Sequence, residues 1–201
     1  MTASPTLICI PDISGFTQFM REVDFELTSR VIPALLNEII YSNDLDLKVS
    51  EIEGDAVLFF RSGDLPTLSE IIEQCKTFYK DFYIRIEKLR KKYEAEDKSQ
   101  EIPELLGLKI ILHYGEKIAM VPIGNRIKLM GEDVITAHRL LKNNIETDEY
   151  ILISNDLLEH FDKNQFNKIF NWGELHAGNI EVEHLGTINY HYIDLLPINT
   201  K

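Results

Sequence analysis

The spacing of apolar and polar positions changes period several times along the chain, and each change marks an element. Residues 6–10, TLICI, form a continuous apolar run of the length of a fully buried strand. GFTQFMREV (15–23) and TSRVIPALLNEIIYS (28–42) carry helical spacing, with Pro33 expected at a helix start or a kink. DLKVSEI (46–52) and DAVLFFR (55–61) read as strands joined by a tight turn at Glu53-Gly54. Leu68, Ile71, Ile72, Cys75, Phe78, Tyr79, Phe82, Ile86 and Leu89 then recur on one face of a long amphipathic helix. Its charged tail, residues 88–101, is expected to fray into a solvated loop. LGLKIILHYG (106–115) and EKIAMVP (116–122) suggest a strand pair turning at Gly115, and 131–144 a helix. EYILIS (149–154) reads as a strand and NDLLEHF (155–161) as a short helix capped by Asn155. Residues 173–196 alternate like a closing strand pair.

The order β-α-β-β-α-β-β-α-β-α-β-β opens with βαββαβ, the ferredoxin-like pattern of one antiparallel sheet with helices on one face. The predicted class is therefore α+β, a ferredoxin-like core with further C-terminal α/β elements. No repeat or Gly/Ser linker divides the 201 residues, so one domain over 1–201 is expected.

Composition narrows the functional classes. The 33 acidic residues outnumber the 21 Lys and Arg, for a net charge of −12. Such a chain repels a nucleic-acid backbone, although it can still accept a nucleotide carried by a divalent ion, which reverses the local sign. The absence of a long apolar run or a signal-like N-terminus argues against a membrane span or export and makes the cytoplasm the expected location. Cys9 and Cys75 lie within apolar patterns and read as small core residues.

Two carboxylates carry the chemistry. In a βαββαβ sheet the end of the first strand lies beside the start of the third. That brings together Asp12 and Asp55, 43 positions apart in sequence. Adjacent carboxylates repel unless a cation lies between them, and Mg²⁺ favours one or two carboxylates plus waters and phosphate oxygens. The helix opening at Ser14-Gly15-Phe16 would offer unpaired N–H groups to those phosphates. Asp is equally common as a helix cap or turn residue, so both positions also have a purely local explanation. The histidines, among them His138, His176, His184 and His191, match no zinc spacing, and His113 reads as a structural residue of the Tyr114-Gly115 turn.

Several stretches resemble the catalytic domain of class III adenylyl and guanylyl cyclases, in order and over about residues 6–198. PDISGFTQF is similar to that family's first metal-binding motif and EIEGDAVLFF to its second metal hairpin. LKIILHYGE resembles its central strand, GEDVITAHRLLKNN…EYILIS its helix running into a strand, and IEVEHLGTINYHYI its closing hairpin. The resemblance implies conversion of ATP or GTP to a 3′,5′-cyclic nucleotide and pyrophosphate by a homodimer, with two Mg²⁺ or Mn²⁺ ions. Asp12 and Asp55 would hold the metals with the carbonyl of Ile13, and Gly15 and Phe16 would cradle phosphate.

The same resemblance exposes departures. The family's Asn and Arg, one helical turn apart, fall on Ile135 and Arg139; Arg139 would stabilise transition-state charge, while the ribose amide is lost. The triphosphate-binding Lys falls on Leu185, and a short register slip reaches only His184 or Glu183. The base-reading positions fall on Glu51 and Lys128: Glu51 suits guanine, whereas a Glu51–Lys128 salt bridge would close the base pocket. Cyclase activity is therefore expected to be weak. The alternative is an inactive nucleotide-binding regulatory or interaction module.

Overall fold

The computed structural model describes residues 3–95, 102–124 and 126–199; the end of the charged tail expected to fray, 96–101, lies outside them. Its strands are β1 (Ser4–Ser14), β2 (Lys48–Glu53), β3 (Ala56–Ser62), β4 (Gly107–Ile123), β5 (Arg126–Met130), β6 (Tyr150–Ser154), β7 (His176–Val182) and β8 (Gly186–Asp194). The helices are α1 (Phe16–Glu22), α2 (Phe25–Tyr41), α3 (Leu68–Lys92), α4 (Ile102–Leu105), α5 (Glu132–Leu140), α6 (Asn155–Leu158), α7 (Phe166–Ile169) and α8 (Leu196–Asn199). The sheet runs β2-β3-β1-β4-β6-β8-β7, with β5 paired to β4 outside that path. Its first four strands have the ferredoxin-like order, and β4–β6 is the parallel pair.

Side-chain alternation along β1 divides the core in two. Leu7, Cys9 and Ile13 face one way, joining Leu27, Leu35, Ile72, Phe78, Phe82 and Ile86 of α2 and α3. Ile8 and Ile10 face the other way, with Leu58, Phe60, Ile111, Leu152 and the Val134–Ala137–Leu140 stripe of α5. Helices therefore cover both faces, and among the described helices α5 is the one in the second layer, beside the sheet's long hairpin. Asp12 has the parity of Ile8 and Ile10 and lies on the α5 side.

Local chemistry explains the boundaries. α2 starts at Asp24, whose carboxylate accepts from the Glu26 N–H, and carries Pro33 in its interior. Thr67 and Glu70 close a reciprocal capping box at α3. α6 is capped by Ser154 rather than Asn155, the hydroxyl accepting from the Leu157 N–H. Both cysteines are free and buried.

The expected turn at Gly115 is absent. β4 runs straight through it, and the hairpin reverses at Gly124 to form β5. Gly115 serves close approach instead: a Cβ there would lie 2.3 Å from Cβ of Asp133 on α5. His113 is accordingly a buried strand residue. Its Nδ1 is 2.9 Å from the Ser154 hydroxyl and its Nε2 is 3.7 Å from Asp133, whose carboxyl it holds below the ordinary value.

Candidate metal and nucleotide site

Asp12 ends the apolar part of β1, directly opposite Ala56 of β3 on one side and Lys109 of β4 on the other. The N–H of Ile13 donates to the carbonyl of Asp55 at 3.0 Å, which fastens the Gly54 turn to the end of β1. The two acids predicted to meet are thus neighbours. Asp12 is buried, 8% exposed, and burial is the main reason its pKa rises to about 6. Lys109 opposes that rise, and the adjoining Asp55 carboxyl adds to it.

The oxygens of Asp12 have different surroundings. Oδ2 is 3.3 Å from Nζ of Lys109. Oδ1 is buried and, with both acids ionised, has no donor. An unpartnered buried carboxylate oxygen beside a second carboxylate is a hard, all-oxygen donor set, and it fits a Mg²⁺- or Mn²⁺-class ion. Lys109 joins the site from β4. Its signal was present in the sequence, as a lone cation within the apolar run LGLKIILHYG.

The remaining residues surround this pair. Gly15 has φ of +76°, and its Cα lies against the Leu105 carbonyl. Phe16 opens α1 with its ring packed on the α2/α3 core. Glu51 and Lys128 form an ion pair at 3.1 Å, because the β4–β5 hairpin folds across β2; Ser50 also donates to the Ile127 carbonyl, at 3.4 Å. A cavity of about 590 Å³ beside the pair is lined by Glu51, Ile52, Phe60 and Ile127. Ile135 is 52% exposed. Arg139 lines a separate cavity of about 270 Å³ against the β7–β8 hairpin, with Glu181 and His184 among its walls; Asp12 and Asp55 do not line it. Leu185 packs on the α5-side core.

Residues 32–150, more than half the chain, match the family model described as "Protein of unknown function (DUF2652)". The chain belongs to the DUF2652 family. This DUF2652 chain is 27% identical over 162 residues to the uncharacterized protein Rv2561/Rv2562 of Mycobacterium tuberculosis, covering 81% of the chain and 73% of the relative. It superposes on the adenylyl cyclase CyaB from P. aeruginosa with a TM-score of 0.62 at 17% identity, over 94% of this chain and 93% of that one. It also superposes on the catalytic core of a rhodopsin-guanylyl cyclase with converted specificity, in complex with ATPαS. That match has a TM-score of 0.61 at 15% identity, over 96% and 97% of the two chains. The DUF2652 chain therefore has the fold of class III nucleotidyl cyclase catalytic domains.

Proposed function

We propose that the face bearing Asp12 and Asp55 binds a metal–nucleoside triphosphate and that turnover to a 3′,5′-cyclic nucleotide is slow. The observation that carries this reading is the buried, donorless Oδ1 of Asp12 next to Asp55. Asp12 and Asp55 would hold Mg²⁺ or Mn²⁺, aided by the Ile13 carbonyl. Oδ2 is paired to Lys109, so Oδ1 and the Asp55 carboxylate would be the oxygens first open to an ion. When bound, the metal supplies charge neutralisation at phosphate and acidification of the attacking ribose hydroxyl. Gly15 and Phe16 would direct N–H groups to phosphate, and Glu51 and Lys128 would meet or close off the base.

Arg139 would act from a second copy of the chain in a homodimer. Exposed Ile52, Ile127, Met130 and Ile135 provide apolar surface on β2, β5 and α5 for that association. The net charge argues against nucleic acid as a competing partner, and a nucleoside triphosphate ligand suits the cytoplasm. A second reading, capture without chemistry, is favoured by Ile135: an alkyl group cannot donate to ribose, and losing one oriented donor costs about 10²–10³ in rate.

Thermal unfolding with Mn²⁺ and a non-hydrolysable ATP or GTP analogue tests the site. Saturation at 100 times Kd stabilises by about 2.7 kcal/mol, roughly 5–10 °C for a chain of this size. Asp55→Ala should abolish the shift. An unchanged shift in that variant, or none in the natural chain, overturns the proposal. Metal-dependent cyclic product from ATP or GTP, lost in Asp55→Ala, separates slow enzyme from binding module.

A further inference from the structure

We propose that Glu51, Glu53 and His138 form a second cation site, separate from Asp12 and Asp55, for a divalent transition-metal ion of the Zn²⁺ class. Glu51 and Glu53 are two apart on β2 and so project from the same side of the strand. His138 follows Val134 by one turn on α5, and Val134 packs into the core between that helix and the sheet. The imidazole thereby reaches both acids, with Nε2 3.9 Å from Oε1 of Glu51 and Nδ1 3.8 Å from Oε2 of Glu53. One ligand atom from each residue lies within 4.8 Å of the other two.

Charge and donor type both favour a bound ion. Lys128 occupies only Oε2 of Glu51, leaving Oε1 and the whole Glu53 carboxylate facing the ring. Two carboxylates with one ammonium leave negative charge beside the His138 ring, through either nitrogen of which an ion could be held. The first site is all oxygen and suits hard ions, whereas an imidazole with two carboxylates suits Zn²⁺, Co²⁺ or Ni²⁺. Zn–N and Zn–O bonds are about 2.0–2.2 Å, so the ligand atoms must draw inward by roughly an ångström or less. Exposure permits this movement: the side chains of Glu53 and His138 are 55% and 32% exposed, while Glu51, at 18%, is the fixed member. Three protein ligands leave at least one position open to water or an incoming donor. The ion would pin the β2–β3 turn, which carries Asp55, to the helix that carries Arg139.

The ligands span residues 51 to 138 and have no local spacing, which is why no zinc pattern appears in the sequence. The site shares Glu51 with the proposed base pocket, but neither Asp12 nor Asp55 is a ligand and the test uses no nucleotide. The test is titration of the chelator-stripped full chain with Co²⁺ and Zn²⁺, without nucleotide, by visible absorption and calorimetry. One equivalent should bind with the intensified d–d bands of low-coordinate, nitrogen-ligated Co²⁺, distinct from the weak bands of any all-oxygen binding at Asp12 and Asp55. His138→Ala and Glu53→Gln should each weaken binding at least about 100-fold, because even the hydrogen-bond partners of metal ligands account for about 10–100-fold. Asp55→Asn should leave it unchanged. Circular dichroism establishes that each variant is folded; Glu53 is exposed, so its replacement leaves the core intact. Failure of the natural chain to bind, retention of affinity in both ligand variants, or loss in Asp55→Asn would each overturn the proposal.

Discussion

Gly15 and Gly54 stand beside the two acids, and alanine at each separates backbone strain from steric exclusion. Both adopt positive φ, +76° and +62°. At Gly54 an added Cβ meets nothing within 4 Å, so Gly54→Ala pays only for the left-handed backbone, about 1–2 kcal/mol. At Gly15 the Cβ would fall 1.8 Å from the Leu105 carbonyl oxygen, whereas real Cβ contacts stay beyond 3.0 Å. Backbone must therefore retreat by at least 1.2 Å (3.0 − 1.8). The retreat opens the junction where Ser14 pairs with Gly107 and donates to the Asp148 carbonyl at 2.6 Å. Overpacking of this kind costs about 1–3 kcal/mol and the strained hydrogen bond up to about 1 more. With the same left-handed strain added, Gly15→Ala should thus lose about 2–6 kcal/mol, at least about 1 more than Gly54→Ala, in urea unfolding with m unchanged. Equal losses, within about 0.5 kcal/mol, would refute the reasoning, because the close approach to Leu105 would then have no energetic consequence.

Other outcomes follow from buried charge. Glu149 accepts from the Tyr79 hydroxyl at 3.1 Å, and burial raises its pKa above the ordinary 4.5 against the lowering effect of that bond and of the Leu108 N–H. Between the ordinary and the raised value the folded state keeps a proton that the unfolded state has released, so stability falls as pH rises through that window. Glu149→Gln should flatten this fall, matching the natural chain near pH 4 and exceeding it at pH 8 in chemical unfolding. Tyr79→Phe should cost about 1–3 kcal/mol at pH 8 and less at pH 4, since the lost donor serves the ionised carboxylate most. Lys109→Met frees Oδ2 of Asp12 while removing a cation, so calorimetry should show tighter Mn²⁺ binding alone and a smaller gain when nucleotide is added.

What the sequence disclosed depended on whether the physics was local or topological. The Gly54 turn and the capped amphipathic helix α3 follow from short-range spacing. The meeting of Asp12 with Asp55 follows from βαββαβ connectivity, which leaves few ways to order four strands. Gly115 misled because glycine answers two needs, reversal and close approach, and only the position of α5 reveals which applies here. β5 was missed because RIKLM is brief and its partner is the end of a strand already counted. Lys109 is legible as a type but not as a partner, since its role depends on standing across from Asp12 in the sheet. Asn155 and Ser154 are adjacent residues that cap helices equally well, so a one-residue error is the natural limit of cap reading.

Under the proposed function, Ile135 and Leu185 would matter in different ways. Ile135 would stand where an oriented donor serves the transition state, so it would bear on rate. Leu185, partly buried against the core, would stand where a cation attracts phosphate before any chemistry. Binding by side-chain charge is therefore weakened, and the local balance sharpens the point. Among the described residues, Asp12 pairs with Lys109 and Glu51 with Lys128, so both ammoniums already have carboxylate partners. A bare triphosphate would meet net negative charge in a chain that is itself at −12. Ions held by these acids and His138 would supply the attraction that the nearby side chains lack, beside the N–H groups of Gly15 and Phe16. Under the proposed function, these acids without a ribose donor or a hairpin lysine would make a surface that binds metal together with nucleotide and turns the nucleotide over slowly.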